Sequence, residues 1–392
     1  MPWQEESTME LRRQFIQDVQ SGATPITELC AAYQISRKTG YKWLARYEVG
    51  GLLALSNRSR RPHTCPTATP SELVEALLAA RARHPSWGPR KLLRLLRQQL
   101  TGVAWPARST LALHLKRAGL VLPPRRVRRP GHPGRPQAPM DAPNAVWTAD
   151  FKGQFRLGDG TRCYPLTIAD GFSRLLLSCD ALTSTRVAES RLVFVRAFHE
   201  YGLPVRIRSD NGVPFATQAL GRLSPLSVWW VRLGILPDLI EPASPQQNGR
   251  HERMHRTLKA ECTRPPRGSR RAQQHRFDAW RREFNELRPH QALADATPAS
   301  QYHPSSRPYL SRLPPLEYPG HYEVRRVSRN GGIRWRCTWV NVSQTLGGEN
   351  IGFVEIDDGE WDVYFGPLRL GRFHERTLRI EDALGCQHRR HY

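Results

Sequence analysis

The segment AVWTADFKG, residues 145–153, alternates apolar and polar side chains, which is typical of a β-strand with one buried face. The apolar face, extended into the residues that follow, contains Trp147, Ala149, Phe151 and Phe155. The opposite face contains Thr148, Asp150 and Lys152. Asp150 is therefore a carboxylate among residues that favour burial, where a charge is costly unless it is paired or bound to a metal. A neighbouring arginine or a backbone amide is the alternative partner for it.

Two further acids stand in a similar context. Asp210 ends the strand-like segment VRIRSDNG, residues 205–212, directly before a sharp Asn-Gly turn. Glu252 lies near the start of a helix predicted within SPQQNGRHERMHRTLKAE, residues 244–261. Each acid alone has a structural alternative, as a turn residue or as half of a surface ion pair. Together the three carboxylates offer the ligands that Mg²⁺ and Mn²⁺ prefer, and two such ions can act on one phosphodiester.

The composition favours a nucleic-acid partner. The 392-residue chain carries a formal net charge of +24, and its 39% hydrophobic and 24% charged residues are ordinary for a folded, multidomain protein. The seven cysteines are scattered without a C-x-x-C pair, which suggests neither a zinc site nor a disulfide framework. The sequence shows neither a membrane-length apolar run nor a signal peptide's layout in its first thirty residues. We therefore expect a cytoplasmic, nucleoid-associated protein without a membrane partner.

Residues 9–48 read as three short helices, the last of which begins after a plausible N-cap, Ser36. Its predicted apolar stripe contains Tyr41, Leu44 and Tyr47. The opposite side carries the candidate DNA-binding residues Arg37, Lys38, Lys42 and Arg46. This layout is typical of a helix-turn-helix unit whose last helix enters a major groove. A small helical bundle with a basic surface is the alternative.

A second helical trio follows within residues 61–120. Its middle helix has an apolar stripe formed by Leu92, Leu95, Leu96 and Leu100. Another face carries the candidate DNA-binding residues Arg90, Arg94 and Arg97. The Pro- and Arg-rich segment 121–143 lacks periodicity and reads as a basic linker. Its cations Arg125, Arg126, Arg128 and Arg129 are predicted to follow the DNA backbone, with a solvated tether as the alternative.

From Asn144 onward, strands are followed by alternating helices and strands, which predicts a mixed α/β sheet covered by helices. Residues 321–380 look like short strands with turns at NGG and DDGE, which predicts a small all-β barrel of SH3-like type. The predicted fold class is therefore multidomain, with an all-α tandem helix-turn-helix region, an α/β core and an all-β C-terminal barrel. The predicted domain boundaries are 1–60, 61–120, 121–143 for the linker, 144–305 and 318–383.

The motifs WTADFKG, DGFSR, SDNG, PQQNGRHER and NELRPHQAL…TPASQY resemble the integrase core of DDE transposases from bacterial insertion sequences. They resemble retroviral integrases more distantly, and the match covers about residues 144–303. The upstream helix-turn-helix pair is similar to the usual amino-terminal half of such transposases. The pattern selects Glu252, three residues after Gly249, over its competitors. Of these, Glu241 precedes a proline outside any helix, and Glu261 lies two and a half turns further on.

The resemblance implies an RNase H-like fold in which Asp150, Asp210 and Glu252 are catalytic and hold two Mg²⁺ ions, with Mn²⁺ as a substitute. It implies binding to the terminal inverted repeats of an insertion sequence, cleavage that frees 3′-hydroxyl ends, and their joining to target DNA. Arg256 and Lys259, on the face of Glu252, are expected to grip double-stranded DNA beside the metals. Joining two ends at one target implies a homo-oligomer, at least a dimer on DNA.

Two other functions remain open for this fold. One is a catalytically silent DNA-binding protein, and the other is a nuclease of RNase H type without strand transfer. Two neighbouring side chains also have two interpretations each. His251 contacts DNA or is structural, and Asp170 is a turn residue or a partner of Arg174 rather than a third metal ligand.

Overall fold

The computed structural model describes residues 7–59, 68–121, 138–241, 245–313 and 315–383. Contacts divide the chain into two compact units, Met1–Thr69 and Pro70–Tyr392. The described part of the first unit contains the helices α1 (Thr8–Ser21), α2 (Ile26–Ala32) and α3 (Arg37–Gly50). Within the described residues, the search for a helix long and apolar enough to cross a membrane found none.

Helix α3 begins as the sequence predicts, because the Oγ of Ser36 accepts a hydrogen bond from the backbone N–H of Thr39 at 3.2 Å. The predicted apolar stripe is only partly right. Leu44 and Tyr47 pack at the edge of the core, but Tyr41 is 57% exposed and Trp43 takes the buried place. The buried face is therefore centred one residue earlier on the helical turn, at Gly40, where the absence of a side chain lets Phe15 of α1 pack closely.

The second unit opens with α4 (Ser71–Arg83), α5 (Pro89–Gln99) and α6 (Arg108–Arg117). Their shared core includes the buried residues Leu77, Trp87, Leu92, Leu95, Leu96, Leu111 and Leu115. Leu100, predicted to continue the stripe of α5, is 41% exposed because the helix ends at Gln99. This trio lies against the rest of the unit, where His84 contacts Glu283 at 2.9 Å and Arg90 forms an ion pair with Asp295 at 2.9 Å.

A mixed sheet forms the centre of the second unit. Its strands are β1 (Val146–Phe151), β2 (Phe155–Arg156), β3 (Arg162–Asp170), β4 (Leu176–Leu182), β5 (Arg206–Ser209) and β6 (Leu236–Leu239). The order is β4-β3-β1-β5-β6, with β2 paired to the start of β3. Strands β1, β5 and β6 are parallel, and β3 runs antiparallel to both β1 and β4. This arrangement confirms the predicted α/β core.

Helices cover both faces of this sheet. They are α7 (Val187–Tyr201), α8 (Pro225–Arg232), α9 (Gly249–Cys262) and α10 (Arg270–Arg282). On one face, Trp147 packs with Phe198 of α7 and Trp230 of α8. On the other face, Leu258 of α9 and Phe277 of α10 pack on the sheet. Both helical layers exclude water from the strands, so each sheet face becomes a separate hydrophobic core.

Phe155 does not share the face of Trp147, contrary to the sequence-based prediction. The backbone leaves the strand after Phe151 and turns at Gly153, whose φ of +84° is accessible mainly to glycine. The alternation of faces restarts beyond that turn. Phe155 consequently packs against the core under α9 and α10.

The C-terminal region is all-β, as predicted, but the described residues do not form a closed barrel. Its strands are β7 (Glu323–Arg326), β8 (Gly332–Trp335), β9 (Thr338–Asn341), β10 (Asn350–Asp357), β11 (Glu360–Phe365), β12 (Leu368–His374) and β13 (Arg379–Asp382). They form an open sheet in the order β13-β12-β11-β10-β7 and a separate hairpin, β8-β9. The hairpin pairs with itself, and Trp335 covers the sheet by packing on Phe353 and Phe373. Side-chain packing therefore replaces the hydrogen-bonded closure that a barrel requires.

Substitution of Phe198 tests how much the hydrophobic core between the sheet and α7 contributes to stability. Its side chain is 0% exposed and contacts the rings of Trp147, Phe194 and Trp229. We expect Phe198→Ala to lower the free energy of unfolding by about 3–5 kcal/mol. The variant loses the burial of the phenyl ring, and the cavity that the ring leaves adds a further cost. Leu192→Ala, on the same helix but 66% exposed, should change it by about 0.5 kcal/mol or less. Denaturant unfolding measures both variants, and equal losses would contradict this packing.

Candidate active site

The pairing of β1 with β5 places the first two carboxylates side by side. The parallel register sets Thr148 opposite Arg208, and two residues further along each chain stand Asp150 and Asp210. Neighbouring strands lie about 4.8 Å apart, and a step of two residues returns to the same face of the sheet. Asp210 directly follows β5, where its Oδ1 accepts the backbone N–H of Gly212 at 3.2 Å. The predicted turn therefore holds this carboxylate at the end of the sheet.

Glu252 approaches the same place from the first turn of α9, and its side chain is exposed. Burial, followed by the negative charges of Asp210 and, more weakly, Glu252, raises the pKa of Asp150 to about 7. Burial also raises the pKa of Asp210. The charges of Asp210 and Glu252 thus act on Asp150, so the three acids influence one another electrostatically. Such a cluster favours a proton or a cation among the carboxylates.

A buried hydrogen-bond network supports Asp150 from the protein side. The Thr167 hydroxyl donates to the carbonyl oxygen of Asp150 at 3.0 Å and lies 2.7 Å and 2.6 Å from the Nε2 atoms of His251 and His255. A hydroxyl has one proton, so both Nε2–H groups donate to Thr167. The Nδ1 atom of His251 lies 2.8 Å from the Thr148 hydroxyl, which also contacts the carbonyl oxygen of Ala169 at 3.2 Å. Both nitrogens of His251 are thereby engaged inside the protein, which makes its role structural.

His255 was not recognised as a site residue from the sequence. Its Nδ1 lies 3.5 Å from Oδ2 of Asp150, and burial lowers its pKa, so the imidazole is neutral. The contact is therefore not an ion pair. With its proton on Nε2, His255 presents a lone pair to a carboxylate oxygen, and a cation or proton shared between them would satisfy both. The available signal was its i+4 spacing from His251 on the apolar face of α9, a face that also reads as ordinary core.

Two other acids have structural roles. The carboxylate of Asp170 is 1% exposed and accepts hydrogen bonds from the backbone N–H of Asn144 at 2.8 Å and of Ser173 at 2.7 Å. It therefore builds the predicted turn. Glu261 forms an ion pair with Arg288 at 2.9 Å and accepts a hydrogen bond from Trp280 Nε1 at 2.5 Å. Glu261 thus lies within an internal ion pair.

The predicted DNA-binding cations differ in their surroundings. Exposed side chains are found at Arg37, Lys38, Lys42, Arg94, Arg97, Arg256 and Lys259. Arg46 lies over the ring of Trp43 at 4.8 Å, and the guanidinium of Arg90 is engaged by Asp295. Arg125, Arg126, Arg128 and Arg129 lie outside the described residues. Helix α6 adds exposed cations that were not singled out from the sequence: Arg108, Lys116 and Arg117.

Models of known protein families match the helical N-terminal region and the α/β core of the chain. Integrase core domain models match residues 140–245 and 233–298. A helix-turn-helix domain model matches residues 11–63, and a homeodomain-like domain model matches residues 39–115. The sheet and the acids described above lie within the integrase core matches.

Relatives from insertion elements match over longer stretches. The chain is 28% identical over 280 residues to an uncharacterized 39.2 kDa protein of insertion element IS476 from Xanthomonas euvesicatoria, covering 71% of this chain and 73% of that protein. It is 30% identical over 189 residues to an uncharacterized 31.7 kDa protein of insertion element IS407 from Burkholderia multivorans, covering 47% of this chain and 65% of that protein. The chain is therefore similar to proteins of bacterial insertion elements and contains matches to integrase core and helix-turn-helix domains.

Similarity to retroviral proteins is confined to a shorter segment. The chain is 30% identical over 132 residues to the Gag-Pol polyprotein of koala retrovirus, covering 34% of this chain and 7% of the polyprotein. The resemblance to both groups, stated above from the motifs, is therefore confirmed.

Substitutions of Glu261 and Glu252 are expected to differ in their effect on the free energy of unfolding. Glu261→Gln leaves Arg288 buried and without its charge partner, so the free energy of unfolding should fall by about 3 kcal/mol. Glu252 is exposed, and Glu252→Gln should change the free energy of unfolding by about 0.5 kcal/mol or less. Denaturant unfolding of both variants measures this difference. A larger loss in Glu252→Gln would contradict the structural role of Glu261.

Proposed function

We propose that the protein is a DNA transposase that binds the terminal inverted repeats of its insertion sequence, frees 3′-hydroxyl ends and joins them to target DNA. The observation that carries the proposal is the β1–β5 register, which puts Asp150 and Asp210 at the same end of the sheet, together with the action of the Asp210 and Glu252 charges on Asp150. The integrase core and helix-turn-helix matches support an enzyme of polynucleotidyl transferase type that acts on DNA. A hydroxyl attacks the phosphodiester directly, so the reaction needs no protein nucleophile.

The donor set at this site fits a divalent metal. Its side chains are carboxylates, and the charges of Asp210 and Glu252 already raise the pKa of Asp150, so a bound cation would relieve their repulsion. Asp150, Asp210 and Glu252 would hold two Mg²⁺ ions, or Mn²⁺ in their place, which supply activation of the attacking hydroxyl and stabilisation of the leaving oxygen.

The surrounding residues hold the acids and the substrate. Thr167 holds the backbone of Asp150 by donating to its carbonyl oxygen, and the neutral His255 lies 3.5 Å from its carboxylate, where a bound cation would contact both. Arg256 and Lys259 are exposed on the same face of α9 as Glu252, and they would bind phosphates next to the bond that is cut. Orientation of the attacking hydroxyl against a fixed phosphate supplies a large part of the rate.

Recognition of the repeat is assigned to the two helical trios. Helix α3 presents Arg37, Lys38 and Lys42 to solvent, and α5 presents Arg94 and Arg97. Two such modules read a longer site than one module reads. Because two element ends join one target, the protein acts on DNA as a homo-oligomer, at least a dimer.

Asp210→Asn separates this proposal from a silent DNA-binding protein. Purified protein is mixed with repeat DNA, a target plasmid and Mg²⁺, and 3′-joined product is quantified. We expect Asp210→Asn to lower joining by about a thousandfold or more, because the several kcal/mol supplied through the metals is lost, while repeat binding remains. Glu200→Gln, an exposed acid on α7, should join like wild type. If wild type binds the repeat but yields no joined product, the enzyme assignment fails.

Salt dependence tests the role of α3. The logarithm of the binding constant for repeat DNA should fall linearly with the logarithm of salt concentration. Lys42→Gln should make that slope shallower by about 0.9, because one phosphate contact releases one fewer counterion. Arg13→Gln is the matched control on α1 of the same unit, where Arg13 contacts Glu10 at 3.3 Å. Equal slopes for Lys42→Gln and wild type would remove Lys42 from the DNA interface.

A further inference from the structure

A cavity of about 160 Å³ lies between α5, α9 and the turn that joins β3 to β4. Its wall contains the cationic side chains of Lys91, Arg174, Arg250, Arg253 and Arg288. On α9, Arg250, Arg253, Met254 and Thr257 line it at i, i+3, i+4 and i+7. Glu252 is not in this wall, so the helix faces the carboxylate cluster and the cavity with different sides. The proposed reaction leaves this cavity without a role.

The positive charges of this wall are only partly balanced by neighbouring acids, because Arg288 alone among these five cations has an ion pair, with Glu261, within the described residues. Burial lowers the pKa of Arg174, and the charges of Arg250 and Arg253 lower it further. The Nε atom of Arg174 is buried and has no hydrogen-bond partner among the described residues. Burial and the charge of Arg288 lower the pKa of Lys91 to about 8, which Glu261 only partly offsets. The cations therefore face one another at a cost that an anion would offset.

The acids near the wall are already engaged, including Asp295, which forms an ion pair with Arg90. Asp170 accepts hydrogen bonds from Asn144 and Ser173, and Glu261 is paired with Arg288. His290 adds no negative charge, and its buried Nε2 has no hydrogen-bond partner within the described residues. Within the described residues of this wall, Arg174 Nε and His290 Nε2 are thus left without hydrogen-bond partners, while the local carboxylates are bound elsewhere.

The turn between β3 and β4 holds Arg174 in this arrangement. Asp170 fixes the turn by accepting the backbone N–H of Ser173 at 2.7 Å. Arg174 then adopts a φ of +64°, a left-handed conformation that is uncommon for residues other than glycine. Such a conformation persists only where the surrounding structure requires it, and here it accompanies a guanidinium with a buried, unpaired Nε.

The size and chemistry of the cavity suit one phosphate group. At about 30 Å³ for each water molecule of liquid volume, the space holds several waters, so a tetrahedral oxyanion with its linking atoms fits. Guanidinium groups bind phosphate oxygens through paired N–H donors. Met254 and Phe284 provide apolar wall next to these donors, which suits the sugar that accompanies a phosphate in DNA.

The position of the cavity favours DNA over a free ion as the source of that phosphate. Helix α5 carries the exposed Arg94 and Arg97 on one side of the cavity, and α9 carries Glu252 on the other. Arg253 is exposed, so the wall is accessible from the surface. Building on the proposed function, we infer that the cavity binds a backbone phosphate of the element-end DNA, between the second helix-turn-helix and the catalytic helix. That phosphate would join Lys91 of α5 to Arg253 of α9.

The inference is tested by a double-mutant cycle between Arg174 and individual DNA phosphates. Each linkage of the repeat duplex is replaced in turn by an uncharged methylphosphonate, and binding to the full chain is measured without Mg²⁺. We expect one linkage whose replacement weakens wild-type binding by about tenfold, the effect of one charge-assisted contact. In Arg174→Gln the same replacement should change binding by less than about twofold, since the partner is already absent. Arg196→Gln, whose side chain is 67% exposed on α7, should retain the wild-type pattern.

Arg253→Gln provides a second variant, because Arg253 is exposed and its removal should not affect folding. At the linkage identified with Arg174→Gln, methylphosphonate replacement should also change the DNA binding of Arg253→Gln by less than about twofold. If both variants keep the wild-type pattern at every linkage, the inference is overturned. Calorimetry with inorganic phosphate tests whether the cavity binds the free ion instead of DNA. Binding of free phosphate that depends on Arg174, together with a linkage pattern that Arg174→Gln leaves unchanged, would overturn the DNA assignment. Failure of wild type to bind the repeat would instead contradict the proposed function.

Discussion

The parallel pairing of β1 with β5 is the constraint on which the site depends. This register brings Asp150 and Asp210 to the same end of the sheet, so two negative charges are held close together in a half-buried place. The cost appears as the raised pKa of Asp150, to which burial contributes most. Cores above and below the sheet fix the strands, and neither acid can move away without breaking that packing. The fold therefore maintains a carboxylate cluster that is unfavourable by itself and becomes favourable with cations.

Helix α9 has three sides with different surroundings. One packs on the sheet, one carries Glu252, and one lines the cavity. Its buried face carries His251, His255 and Leu258 against the sheet, and two of these side chains complete the network around Thr167. Glu252 lies on another face with exposed cations, and Arg253 lies on the side that lines the cavity. A rotation of the helix would disturb all three faces at once. The position of the third acid is therefore fixed by buried histidines rather than by its own contacts.

Local patterns in the sequence were sufficient for the elements of the core but not for every side chain. Alternation and turn residues placed β1, β5 and the helix of Glu252, because each pattern depends on neighbours in the chain. Phe155 was placed on the wrong face because Gly153 interrupts the alternation. His255 was missed because its partner, Thr167, is distant in sequence. Closure of the C-terminal sheet likewise depends on contacts between distant strands, which short strand patterns do not specify.

The positions of basic residues in the sequence also did not predict which of them have acid partners in the structure. Arg90 belongs to the same periodic stripe as Arg94 and Arg97, yet it pairs with Asp295 and helps to hold α5 on the core. Arg288 is likewise bound to Glu261, an acid that also accepts a hydrogen bond from Ser86 in the loop between α4 and α5. These pairs attach the second helical trio to the α/β core of the same unit. Cations with acid partners therefore set the geometry of the protein, and the proposed phosphate contacts fall to cations that lack such partners among the described residues.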